Sequence, residues 1–343
     1  MKILITGATG FIGSHLIEAL SVTDAEIYAL VRDPGRMTFA PAGRIRILKG
    51  GLDDVPELPA GLDIVFHLAG LTKALKSKDY YTVNAEGTAR LFNALEGRRP
   101  HPKVVILSSL AAGGPSEKGG RRKESDPPDP VTPYGKSKRG GEEEALARKE
   151  GFPVVILRVG AVYGPRDTDF LSLFRYVEWG LVPVIGSKKP PLSLCYVKDL
   201  IRALLLAGEK ALQSGEIFNI AQPEPRTFDE FGLAAGSVMG RAPRRLIIPF
   251  GLAYSIVLAS EFVSTMARRP GPLNRDKYRD YRQAGWVADV TKAREELGFT
   301  TDTTLEAGLR ETIAWYRENG WLSRSSGSRS AGSKKSRKTS SSS

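Results

Sequence analysis

The chain has 343 residues, 41% of them hydrophobic and 26% charged, which is the balance of a soluble enzyme of about two globular units. A single cysteine, Cys195, excludes an internal disulfide and fits a reducing cytoplasm, while His15, His67 and His101 stand far apart without the carboxylates or thiols of a metal site. Half of the net charge of +12 lies in the serine-rich tail, residues 323–343, through Arg324, Arg329, Lys334, Lys335, Arg337 and Lys338. The tail reads as disordered, and the gathering of charge there weakens the nucleic-acid reading that a net charge of +12 invites; a solvated tail with no specific partner is expected, with electrostatic contact to acidic lipid or RNA as the alternative.

The chain opens on MKILITGATGFIG, with no basic region before an apolar core, so no secretory signal is expected. Lys2 to Thr6 read as a strand and SHLIEAL as a helix, with Gly7, Gly10 and Gly13 between them at intervals of three. Such a turn brings backbone close to a pyrophosphate and aims the N–H groups of a helix at it, although the spacing departs from G-x-G-x-x-G. Further strands are expected at 26–31, 44–50, 62–70, 103–109 and 152–160, and helices from about Lys78 to Glu96 and after Pro133. Apolar runs rich in Val, Ile and Leu, separated by helices, predict an α/β fold of the Rossmann type, a doubly wound parallel sheet.

The second half is less regular. Thr227 caps FDEFG, Asp289 caps VTKAREEL up to Gly298, and LEAGLRETIAWYREN forms a last amphipathic helix. The apolar run 246–260, broken by Pro249 and Gly251, is too short for a membrane span. It reads as a core or substrate-pocket helix, with an interfacial helix as the alternative because Arg241, Arg244 and Arg245 precede it and Arg268 and Arg269 follow. The dinucleotide domain is assigned to 1–165 and about 192–222, and a smaller, mostly helical substrate lobe to about 166–191 and 223–322.

Among eleven tyrosines only Tyr134 has a lysine four residues on, Lys138. Pro133 suits a first helical turn, so the pair shares one face, and the preceding strand ends in Ser108 and Ser109. Ligands of parallel sheets lie beyond the carboxyl ends of the strands, where the glycine turn also lies. A phenol of pKa near 10 needs about 4 kcal/mol to reach ~7, part of which a nearby Lys138 ammonium can supply. Ser109 can orient a substrate oxygen.

With TGATGFIG at 6–13, HLAG at 67–70, VNAEGT at 83–88, LSSLAA at 107–112, YGKSK at 134–138 and LRVGAVYGP at 157–165, the chain resembles the extended short-chain dehydrogenase/reductases, the NAD-dependent epimerase/dehydratase family. The resemblance runs from Met1 to about Leu322. It implies Tyr134 as acid/base, Lys138 as ribose ligand and pKa modulator, Ser109 as catalytic hydroxyl beside Ser108, and Asn84 as support or proton relay. It places Gly7, Thr9, Gly10, Phe11, Ile12, Gly13, Leu68, Ala69 and Gly70 at the cofactor with Tyr134 and Lys138, and makes His67 a packing residue.

Arg32, at the end of the second strand, favours the 2′-phosphate of NADP, while Asp33 beside it keeps NAD open. The VRDP segment resembles the dihydroflavonol-reductase branch. Gly51 stands where family members often carry aspartate. Leu192 replaces the arginine that grips a nucleotide-sugar diphosphate ahead of the YVKD element at 196–199, with Arg166, Arg175, Lys188 or Lys189 as substitutes. The expected function is therefore an NAD(P)-dependent alcohol–ketone oxidoreductase for an apolar, steroid-, isoprenoid- or flavonoid-like small molecule. The alternatives are a nucleotide-sugar epimerase or dehydratase with tightly held NAD, and a non-catalytic cofactor-binding scaffold. A homodimer is implied by the resemblance, and membrane-surface contact by 246–260 and the tail.

Overall fold

The computed structural model describes residues 1–37, 43–186, 190–267, 271 and 275–323. The tail from 324, Lys188, Lys189, Arg268 and Arg269 lie outside the described residues. The first half alternates β1 (Lys2–Thr6), α1 (Phe11–Ser21), β2 (Glu26–Val31), β3 (Ile45–Lys49), β4 (Ile64–His67), α2 (Ser77–Asn84) and α3 (Glu86–Leu95). It continues through β5 (Lys103–Ser109), a single turn α4 (Leu110–Gly113), α5 (Pro133–Leu146) and β6 (Val154–Val159).

The second half begins with β7 (Ala161–Tyr163), α6 (Leu171–Glu178), β8 (Leu181–Ile185), β9 (Pro191–Leu192), β10 (Leu194–Tyr196), α7 (Val197–Glu209) and β11 (Glu216–Ile220). After it come β12 (Arg226–Thr227), α8 (Phe228–Val238), β13 (Arg244–Ile248), α9 (Phe250–Met266), α10 (Arg275–Tyr281) and α11 (Leu305–Glu318).

Seven parallel strands form one sheet in the order β11-β6-β5-β4-β1-β2-β3. Strand order reverses between β1 and β4, and a crevice opens there at the carboxyl ends. Alternation along each strand sends Ile3, Ile5, Phe66, Val105 and Leu157 to one face, against Leu16 and Ile17 of α1 and Leu200 and Leu204 of α7. Leu4, Val65, Val104, Ile106 and Ile156 fill the other face against Leu91, Phe92 and Leu95 of α3 and Ala145 of α5. Each such side chain contributes about 1.5–3 kcal/mol by burial. A third cluster joins Tyr163, Phe174, Phe231, Ile313 and Tyr316 from the second half.

Three expectations are corrected. The helix predicted from Lys78 to Glu96 is two, α2 and α3, which meet at Ala85 (φ −99°, ψ −65°). The strand predicted over 62–70 ends at His67, because Ala69 turns its N–H to the Thr6 hydroxyl at 3.1 Å. The run 246–260 is not a core helix: it divides at Pro249 into β13 and α9, and only Ala253, Val257 and Ser264 of α9 are buried. The seventh strand, β11, escapes the pattern because polar Glu216 and Asn219 interrupt its short apolar run.

Beneath α5 the Glu142 carboxylate, fully buried, accepts from Arg158 Nε at 2.9 Å and Nη2 at 2.7 Å, and from the Ser108 hydroxyl at 2.6 Å. The pair binds helix α5 to strand β6 in a dry layer, so removing one partner strands the other charge. Glu142→Leu is expected to destabilise the chain by about 3–5 kcal/mol in urea unfolding, whereas Glu142→Leu with Arg158→Met recovers most of that loss.

Candidate functional site

Strand β1 leaves the sheet through Gly7 at φ +72°, where a Cβ would stand 2.7 Å from Ala69 N and 2.8 Å from Leu68 C. Glycine is required there both by the left-handed backbone and by the close approach of the 68–70 segment. A side chain on Gly13 would overlap the Gly7 carbonyl, so α1 can start tight against the turn. Gly10 donates to Gly7 O at 3.0 Å and stands as N-cap of α1, whose first turn has no capping side chain and no acid. The first N–H groups of α1 thus have no intrahelical partners and meet a cradle open to an anion, with Thr9, Phe11 and Ile12 partly buried along it. This geometry fits a dinucleotide pyrophosphate.

Arg32 is exposed just beyond β2, and the space a Gly51 side chain would take is filled by the Arg32 stem, 2.9 Å from Cγ. Asp33 is drawn into its own turn, its Oδ1 accepting from Gly35 N at 3.0 Å.

From the turn a chain of hydrogen bonds runs to α5. His67 lies between Thr6 Oγ1 (2.8 Å from Nδ1) and Thr88 Oγ1 (3.0 Å from Nε2). The Thr88 hydroxyl donates to Asn84 O at 2.8 Å, so it accepts from His67 Nε2–H, and Thr6 then donates to Nδ1. Burial pushes the His67 pKa down to about 3, the Lys138 charge acting in the same direction, and the ring is neutral. His67 is therefore a hydrogen-bonded link and not merely a packing residue.

The Asn84 side chain accepts from Leu71 N at 2.8 Å and donates to Leu71 O at 3.0 Å and Ser137 Oγ at 2.9 Å. Ser137 in turn donates to Tyr134 O at 2.7 Å. Asn84 is wholly engaged in holding the 68–71 segment against α5.

Thr132 caps α5 by accepting from Gly135 N at 3.2 Å, and Pro133 occupies the first turn. Tyr134 is partly buried, and the Ser109 hydroxyl lies near enough to its phenol to favour the phenolate. One turn on, Lys138 Nζ donates to Leu107 O at 2.6 Å and lies 3.6 Å from where a Gly70 Cβ would be. Tyrosine, lysine, strand-end serine and glycine turn thus converge, as expected from the sequence.

The charge balance differs from expectation. Burial pushes the Tyr134 phenol up to about 12, with Asp169, Asp280 and Tyr80 adding to it and Ser109 opposing. Burial also brings Lys138 down to about 8. In the chain alone, desolvation outweighs any help that the lysine gives the phenolate.

Several residues are placed elsewhere. Ser108 turns to Glu142 on the far side of β5, as alternation along a strand demands. Arg166, at φ +72°, bonds Ser14 and Glu18 of α1 and so serves the packing of the glycine helix. Arg175 is exposed on α6, and Leu192 pairs with Arg226 in the antiparallel β9–β12 ribbon.

The structure adds a wall the sequence did not announce. A cavity of about 380 Å³ is lined by Ala74, Leu75, Ser77, Tyr80 and Pro133, and by Glu261, Ser264, Thr265, Arg275 and Arg279 of α9 and α10. The Tyr80 ring meets Tyr134 edge to face at 6.0 Å, so the cavity adjoins the tyrosine. Asp280 of α10 is pushed up to about 7 by burial and by Asp276 against Lys277. The segment RDKYRDY at 275–281 carries these groups at helical spacing, and that was the available signal. Among the described residues no group of three or more His, Cys, Asp or Glu could hold a metal ion, and no helix is long and apolar enough to cross a membrane.

Residues 3–221 match the model of the NAD dependent epimerase/dehydratase family. A protein named ceramide reductase from Caulobacter vibrioides is 27% identical over 324 residues, 93% of this chain and 96% of that one. A dTDP-glucose 4,6-dehydratase from Streptomyces niveus is 29% identical over 346 residues, 93% and 94% of the two chains. Among solved structures, MoeE5 in complex with UDP-glucose and NAD superposes with a TM-score of 0.73 at 27% identity, covering 93% of this chain and 99% of its own. The match over most of the sheet, joined to a glycine turn and a Tyr134–Lys138 helix in one crevice, makes the chain a member of the NAD-dependent epimerase/dehydratase family and an NAD(P)-dependent enzyme of the oxidoreductase kind.

Proposed function

We propose that the chain interconverts a secondary alcohol and a ketone on an apolar, lipid-like molecule, with Tyr134 moving the proton. The carrying observation is the apolar outward face of α9, the helix whose polar side chains Glu261, Ser264 and Thr265 line the cavity beside Tyr134. Leu192, in place of a diphosphate-gripping arginine, and the similarity to a ceramide reductase support the same substrate class. A bound nicotinamide supplies or accepts the hydride at the substrate carbon.

Ser109 Oγ holds the substrate oxygen in reach of Tyr134 Oη, which gives that oxygen a proton in reduction and takes it back in oxidation. Lys138 binds the cofactor's ribose, and its charge then favours the phenolate. Asn84 and His67 hold the 68–71 segment and α5 in register. Arg32, with Asp33 engaged in its own turn, favours NADP, whereas the similar structures reported with a cofactor hold NAD. Residues 166–191 and 223–322 form the substrate lobe in this reading.

A second reading, a nucleotide-sugar epimerase or dehydratase that reduces and reoxidises a retained NAD within one cycle, has a specific basis. Relatives named for nucleotide sugars, with MoeE5 bound to UDP-glucose, weigh for it more heavily than the comparisons weigh for an apolar substrate. The test is turnover of NADPH and NADH by the purified chain on long-chain and cyclic ketones, set beside UDP- and dTDP-sugars followed by NMR. Ketone reduction with exchanging cofactor supports the first reading. Inert ketones, a converted nucleotide sugar and NAD that survives gel filtration overturn it.

Three outcomes probe the roles. Tyr134→Phe lowers turnover by about 10²–10⁴-fold while the cofactor dissociation constant, read by fluorescence, stays near that of the wild type. Arg32→Ala raises the KM for NADPH by about tenfold or more and that for NADH far less; equal changes reject the NADP assignment. Lys138 is charged below about 8, so cofactor affinity declines as pH rises through that value. In Lys138→Arg the guanidinium keeps its charge, and this decline disappears from the binding titration.

A further inference from the structure

Helix α9 exposes more apolar surface than a helix on a protein surface usually does. Over seventeen residues its one charged side chain is Glu261, and that faces inward, where Arg275 Nε holds it at 2.9 Å. At 100° per residue, Ala253, Val257 and Ser264 fall on the narrow arc that is buried. Leu252, Ile256, Phe262, Val263 and Met266 lie outside it, Phe262 and Met266 most nearly opposite. They are exposed by 56%, 41%, 69%, 63% and 73%. The outward side of a soluble helix is normally charged or polar, whereas here large apolar side chains cover most of it. Contiguous apolar surface of this kind marks a contact with something else.

We infer that the outward face of α9 docks on an anionic lipid bilayer surface, lying in the interface with the cavity mouth beside the membrane. Seventeen residues span about 25 Å, and with no helix among the described residues long and apolar enough to cross, the helix lies along the surface. The charge around it selects the partner. Arg244 stands exposed on β13, the strand that leads into α9, and Arg241 is exposed just before it. Lys76 is exposed beside the lining residues Leu75 and Ser77, and Arg279 is exposed on α10. Arg268 and Arg269 follow in sequence, outside the described residues.

A second copy is the poorer occupant, because an isologous contact pairs α9 with α9, whose single acid, Glu261, is already held by Arg275, and so leaves Arg241 and Arg244 without an opposite charge. An anionic surface meets the same arginines with opposite charge. The docking rests on the apolar-substrate reading for its purpose, since it lets such a substrate pass from the bilayer into the cavity without crossing water.

The test is sedimentation of the full chain with phosphatidylcholine vesicles, with and without phosphatidylglycerol. The wild type is expected to sediment with the anionic vesicles, and Phe262→Glu with Met266→Glu to lose that partition by roughly tenfold or more. Val22→Glu, at an apolar residue exposed by 87% on another part of the molecule, leaves it unchanged. Both variants keep cofactor affinity, which shows that they fold. A wild type that ignores both vesicle types, or a double variant that binds like the wild type, overturns the docking. So does a dimer in sedimentation velocity that the double variant splits without any vesicle binding, which assigns the face to a second copy. Vesicle binding is read without turnover, so a chain that docks but converts only nucleotide sugars refutes the substrate reading alone.

Discussion

His67 accepts the Thr6 proton at Nδ1 and donates from Nε2 to Thr88, and the site's architecture depends on its doing both. The ring can do so only when neutral, and burial without a carboxylate partner keeps it neutral. Through Thr6 it positions Ala69 against the glycine turn; through Thr88 it reaches the Asn84 carbonyl. The Asn84 side chain then holds Leu71 and, by way of Ser137, the backbone of Tyr134. The glycine turn and Tyr134 are thereby parts of one polar network inside an otherwise apolar sheet. Such networks are worth having only when every member is satisfied, and here each buried partner has its bond.

The same logic sets the seat of α5. Side chains at Gly135 and Gly141 would overlap the carbonyls of Ala111 and Asn84, so their absence lets the helix backbone lie directly on the strand-end turn and on α2. On the opposite side Glu142 reaches under the helix to Arg158 and Ser108. Close backbone contact and a buried ion pair on one helix leave Tyr134 and Lys138 little freedom.

The second half obeys a different balance. Its aromatic cluster of Tyr163, Phe174, Phe231 and Tyr316 anchors α6, α8 and α11, but α9 contributes almost nothing to that core. Glu261, Ser264 and Thr265 face a cavity, while Leu252, Phe262, Val263 and Met266 face out. A helix so placed gains little from folding against the rest of the molecule, and its hydrophobic face remains available to an outside partner.

Most of the fold was legible in the chain. Apolar runs such as VVILSS and PVVILRV can satisfy their burial only inside a parallel sheet, and glycines at 7, 10 and 13 after a strand have few other uses. Thr132 before Pro133, and Thr227 three residues before Glu230, announce helix starts by local chemistry alone. Tyr134, Lys138 and Ser109 were also within reach, because strand ends and the first turn of a helix have predictable places in such a sheet.

What only tertiary structure decided depends on which face meets which neighbour. The hydropathy of 246–260 was plain, yet a core helix and an exposed one have the same composition, and only packing shows that its apolar side looks outward. Strand β11, the turn of Ser108 away from the site, the binding of Arg166 to α1 and the acids around Tyr134 all arise from contacts between distant segments. Local sequence determines conformation where the physical cause is local; the sign of a pKa shift, the partner of a charge and the direction of an apolar face are set by neighbours brought together from afar.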